Sequence, residues 1–198
     1  MIADYFRELT KANRNTIKAR LPENMPLWGK FRMAQGGDSV RCTMATSKKR
    51  SERNMSFVRV NITTVEIYAR CLTSSQSQFE LVIFDNPKVL YGRVEKIMEC
   101  QLPHDPVFGV FKGKLRLLAY IIPCKTDGKD ATQELTTYRI ETAGIVTDLS
   151  TIRAVIGRVQ TTGGGPGTQK HWGIIDRSSA LARATFEEDE QSSDDDDE

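Results

Sequence analysis

Histidine and cysteine are the side chains best suited to nucleophilic and acid–base work near neutral pH, and this chain holds two of the first and four of the second. The one sequence-local pair is Cys100 with His104. A thiolate nucleophile needs an electropositive, partly exposed setting. His104 stands in "LPHDPV", a turn between two strand patterns, and His171 begins a strand pattern, so both read as surface or rim residues. None of Cys42, Cys71, Cys100 and Cys124 lies within four residues of another, which rules out a zinc knuckle or a redox pair in sequence. They read as reduced, buried, small hydrophobes. Asp85, Asp105, Asp127, Asp148 and Asp176 fall mostly at strand ends, where Asp forms turns, and nothing in their spacing makes them converge on a metal. A surface ion pair is the expectation for Asp176 with Arg177. The reading is a non-enzymatic chain with no catalytic residue, no metal and no cofactor.

A second chemistry to test is phosphate binding by "TTGGGPGTQKHWGIID", residues 161–176. A Walker loop needs G-x-x-x-x-G-K-[ST] opening a helix, so that helical N–H groups face the phosphates. Gly-Lys occurs at 29–30, 113–114 and 128–129, followed by Phe, Leu and Asp, never by Ser or Thr. A strand pattern, not a helix, follows the glycines. Residues 163–167 therefore read as a long hairpin loop.

The third chemistry is electrostatic. Lys48, Lys49, Arg50 and Arg53 cluster in "SKKRSER", with Lys30, Arg32, Arg41 and Arg59 on neighbouring strand patterns. Residues 1–60 carry thirteen bases and five acids, a local net of +8. Such a patch attracts phosphates without sequence preference. The net charge of +2 hides an asymmetry: residues 187–198 hold nine acids and no base, which leaves the rest of the chain with 28 bases and 17 acids. The acidic stretch is low-complexity and expected to be disordered. Folded back, it would screen the basic cluster, and phosphorylation of Ser192 and Ser193 would deepen its charge.

The elements that position these residues are mostly strands. Ile2, Tyr5, Phe6, Leu9 and Ala12 recur at helical spacing, and Pro22 stops the pattern, so residues 1–21 form an amphipathic helix. "GKFRMA" and "DSVRCTMAT" make a hairpin about Gly36-Gly37. "MSFVRVNIT", "VEIYARCLT", "QFELVIFD", "VLYGRVEKIMEC", "KLRLLAYIIPC" and "TYRIE" follow as strands, then a helical turn at "DLST", a strand over 153–161 and a last one at "HWGIIDR". The many short strands predict a mostly β chain: an antiparallel barrel-like or sandwich domain over 22–186, one N-terminal helix and a tail over 187–198. Tyr91-Gly92 is expected at a kink or bulge, and Trp28 and Trp172 in core or rim packing rather than base stacking. No apolar run approaches the length that spans a bilayer, and no membrane role is expected.

Three stretches in order, "WGKFRMAQGGDSVRC" with "RNMSFVRV", then "YGRVEKIM", then "DLSTIRAVIGRVQ" leading to "HWGIIDRSSALARATF", resemble the C-terminal region of large transposon-encoded proteins of basidiomycete fungi, of the Kyakuja–Dileera–Zisupton kind. The likeness runs from about Leu27 to Phe186. It implies a mobile-element origin and a nuclear setting, not catalysis, which in such proteins belongs to a transposase-like part. "YGRVEKIMEC" with "GKLRLLAYIIPC" is also similar in pattern to bromo-adjacent-homology barrels, a likeness of fold alone. Two readings follow. The first is an accessory module of transposon origin, nuclear or cytoplasmic, that binds a protein partner through strand edges and its helix and is chromatin-associated. The alternative is a DNA- or RNA-binding module that uses Lys48, Lys49, Arg50 and Arg53 and is autoinhibited by its acidic tail.

Overall fold

A computed structural model of the chain describes residues 1–33, 38–45, 55–62, 88–161 and 171–178. The strands expected at 65–73 and 78–85, Cys71, the glycine-rich loop 163–167, the basic residues Lys48, Lys49, Arg50 and Arg53, and the acidic stretch 187–198 lie outside the described residues.

The amphipathic N-terminal pattern forms two helices rather than one, α1 (Ile2–Thr10) and α2 (Arg14–Arg20). Local chemistry makes the break. The Thr10 hydroxyl donates back to the Phe6 carbonyl, Lys11 turns left-handed at φ 57°, and the Asn13 side chain accepts from the N–H groups of Asn15 and Thr16 as the cap of α2. Phe6 and Ile17 are fully buried, and Phe6 meets Phe108 edge-on at 5.7 Å between ring centres. Leu9, on the edge of the expected stripe, faces solvent.

The rest of the described chain is built on antiparallel strands. In chain order they are β1 (Leu27–Trp28), β2 (Lys30–Arg32), β3 (Ser39–Arg41), β4 (Phe57–Ile62), β5 (Lys88–Gln101), β6 (Leu115–Pro123), β7 (Thr137–Tyr138), β8 (Ile145–Asp148), β9 (Ile152–Val155), β10 (Gly157–Thr161) and β11 (His171–Ile175). The largest sheet runs β8-β6-β5-β4-β9, with β1 added to the distal part of β5. A three-stranded sheet runs β10-β11-β7, and β2 with β3 forms a separate hairpin. β9 and β10 are separated only by Ile156, so one stretch of chain passes from the first sheet to the second, with the Ile156 N–H bonded to the Phe57 carbonyl. Among the described residues the sheets stay open: the sandwich-like form fits, and the barrel does not close.

β5 is the spine, because Val89, Tyr91, Val94 and Ile97 favour the strand and both edges find partners. Gly92 sits in regular pairing, opposite Val58 and Pro123, rather than at the expected kink. A Cβ there would stand 2.6 Å from Ile121 and 2.8 Å from the Ile122 carbonyl, so glycine permits the close approach of β6. The register shift of β5 against β6 comes later, between Val94 and Lys96. Three apolar clusters form the core. One gathers Val40, Val58, Val94, Ile97 and Ile121 beneath the hairpin; one puts Phe6 and Ile17 on Cys100, Leu102 and Phe108; one joins Phe57, Tyr91, Tyr138, Ile156 and Ile174 between the sheets. Among the described residues no helix is long and apolar enough to cross a membrane.

Candidate nucleic-acid interface

The basic hairpin follows from alternation. Phe31 and Val40 are opposite one another and turn inward, where Val40 is fully buried against Val58, Val94 and Ile97. Their neighbours must then turn outward. Lys30 pairs with Arg41 and Arg32 with Ser39, which puts three cationic side chains on one exposed face.

The chain then returns to the same place. Cys42 N–H bonds to the Gly29 carbonyl, and a 3-10 turn follows over Thr43–Ala45, tied to β5 by the Thr43 hydroxyl on Glu95. The Arg41 N–H bonds to the Met55 carbonyl at 3.2 Å. Residues 46–54, which include Lys48, Lys49, Arg50 and Arg53, thus leave the described structure at Ala45 and re-enter at Met55, both anchored beside Arg41. The four predicted site residues lie outside the described residues, but both ends of their segment are fixed to the cationic hairpin. Gly29 is required for this layout: a Cβ on it would meet the Ala45 Cβ at 2.8 Å.

Arg59, the fourth flanking base, does not join this face. It is 12% exposed and grips two carboxylates. Its Nη1 and Nη2 donate to Asp130 Oδ1 and Oδ2 at 2.8 Å each, and Nη1 also donates to Asp176 Oδ2 at 2.8 Å. The Tyr91 hydroxyl lies 2.8 Å from Asp176 Oδ2 and accepts from the Ala131 N–H at 3.0 Å. Burial opposes ionisation of Asp176, but hydrogen bonds from Ser178, Arg59 and Tyr91 outweigh it and hold the carboxyl below its usual range. Hydrogen bonds from Arg59, with those from Thr132, hold Asp130 well below it. The surface ion pair expected of Asp176 with Arg177 is therefore corrected: the Asp176 side chain is fully buried and pairs with Arg59 across the two sheets. Sequence alone missed this cluster because its members are separated by up to 117 positions. The one signal was a charged arginine inside a strand pattern rich in β-branched residues.

The nucleophile candidates occupy different settings. Cys100 is buried under α1 and α2, and desolvation pushes its thiol up to about 11. His104 packs its ring on Gly113 at the turn, and His171 accepts at Nδ1 from Arg139 Nε at 3.3 Å on the exposed end of β11. Cys100 and Cys124 are buried free thiols, and Cys42 is buried as well. Among the described residues no group of three or more His, Cys, Asp or Glu side chains is placed to hold a metal ion. The two tryptophans differ. Trp172 is half-buried and stacks on the Arg158 guanidinium, 4.4 Å from its ring centre, with Phe57 on the same cation at 3.3 Å. Trp28 is 53% exposed, a rim position rather than a core one.

No protein-family model matches the chain, and neither a curated protein nor a solved structure matches it.

Proposed function

We propose that the chain is a nucleic-acid-binding module that holds phosphates without sequence preference, through Lys30, Arg32 and Arg41 on the β2–β3 hairpin together with Lys48, Lys49, Arg50 and Arg53. One observation carries the reading: the strand register puts three cations on one outward face, and the segment with four more is rooted at both ends beside them. Three cations on the hairpin face, with four more in the segment between Ala45 and Met55, suit a phosphate backbone better than an apolar partner, since each neutralised phosphate releases counterions. The protein-partner reading ranks second, because the apolar side of α1 that would have made the contact is spent on Phe108 and its neighbours. The resemblance to transposon-encoded proteins agrees with a nuclear setting in which such a face would meet its ligand.

The test is binding of mixed-sequence duplex by the full chain and by the Lys30→Glu, Arg41→Glu double variant. The reading predicts that the double variant loses most of the affinity and about two units of the slope of log K against log salt. Unchanged affinity in the variant would remove the hairpin from the interface.

A further inference from the structure

Beside the cationic hairpin the surface changes character. Leu27, Trp28 and Met44 are 55%, 53% and 60% exposed, three large apolar side chains around one shallow cavity. The cavity measures about 180 Å³, and Gly29, Cys42, Ala45, Lys96 and Ile97 complete its lining. Its frame is rigid. β1 is paired to β5 at Leu27–Met98 and Trp28–Ile97, and the Cys42 thiol lies 3.4 Å and 3.3 Å from the carbonyls of Trp28 and Gly29. The Trp28 indole N–H donates to Glu99 Oε2 at 3.0 Å, which fixes the ring by its polar edge while half of its surface stays in water.

We infer that Trp28 and this cavity receive an unpaired nucleobase, so that the ligand of the proposed interface is single-stranded nucleic acid in preference to duplex. This rests on the phosphate-binding reading above and narrows it. Size decides the kind of occupant. Pockets for drug-sized molecules run from about 300 Å³ upward, so this one takes a single planar group and not a larger metabolite. Charge decides its source. Lys96 lines the cavity and Lys30 directly follows Gly29 of its lining, so a ring placed on Trp28 has cations beside it. A polyanion that carries planar rings at every repeat fits both features. In a duplex the base faces are already stacked and paired, whereas a single strand offers them to an aromatic side chain.

The experiment compares poly-dT with a duplex of equal length at one low salt concentration, using the full chain, Trp28→Ala, Trp28→Phe and the Lys30→Glu, Arg41→Glu variant. Far-ultraviolet circular dichroism confirms that each variant folds, as expected for an exposed side chain. The expected result is tighter binding of poly-dT than of duplex, a loss of about ten-fold or more on poly-dT in Trp28→Ala, retention in Trp28→Phe, and little change on duplex. If Trp28→Ala binds poly-dT as the full chain does while the charge reversal weakens both probes, the base-stacking inference is overturned and the phosphate-binding reading stands. If neither probe binds the full chain, both are overturned.

Discussion

At the residue scale, Arg59 carries the most consequence for stability. Its guanidinium satisfies two carboxylates, one of them fully buried, and draws together β4, the 125–136 connection and the end of β11. Arg59→Met would leave Asp176 ionised in an apolar setting with only Tyr91 and Ser178 as donors. The expected cost is about 3–5 kcal/mol, read by urea unfolding. Tyr91→Phe removes one hydroxyl from the same cluster and should cost about 1–2 kcal/mol. The pH dependence has a definite sign. Asp130 and Asp176 both have folded-state values below that of an unfolded aspartate, about 3.9, so their contribution is fully present above that pH and is lost as the pH falls through the lower folded values. Acid unfolding of the Asp130→Asn, Asp176→Asn double variant should show a shallower fall in stability below about pH 4 than that of the unaltered chain. The strand character of "MSFVRVNIT" was readable from its β-branched residues, but not that its arginine points into a cluster closed by residues far along the chain. Periodicity reports which face a side chain occupies, not which distant group meets it there.

At the scale of elements, alternation and turn residues carried most of the fold. The paired strands at 30–32 and 39–41, the long strand at 88–101, the helical turn at 149–151 and the last strand at 171–175 all stand where composition put them, while Gly36 and Gly37 lie outside the described residues. The misses have physical causes. β1 and β8 are only two and four residues long, too short for a period to show, and they exist because β5 and β6 offer free edges. The N-terminal helix divides because Asn13 caps better than it continues a helix, and the apolar pattern runs on across the break. Phe6→Ala should cost about 3–5 kcal/mol, since it empties the contact with Phe108 at the centre of the helix-covered core. Gly29→Ala is a sharper probe of the interface. Its Cβ would collide with Ala45, so the turn that starts the basic segment must move, with a stability cost of about 1–3 kcal/mol and a measurable loss of nucleic-acid affinity. The candidate site was legible as charge: the cluster "SKKRSER" and its flanking bases stand out in the sequence, and the register of β2 with β3 then selects Lys30, Arg32 and Arg41 for one face while it leaves Arg59 inside.

At the scale of the molecule, the charge distribution sets the behaviour. Twenty-eight bases face seventeen acids outside residues 187–198, and those twelve residues carry nine acids. A covalently attached polyanion competes with an external one at a high effective concentration. The measurement that tests the account most directly is therefore a salt series for binding of single-stranded and duplex DNA by two chains, the full one and one ending at Phe186. The account predicts that the shortened chain binds more tightly, with a slope of log K against log salt of about −4 or steeper, that the full chain binds more weakly, and that charge reversal at Lys48, Lys49 and Arg50 flattens both slopes. Absence of binding by either chain at low salt would contradict it.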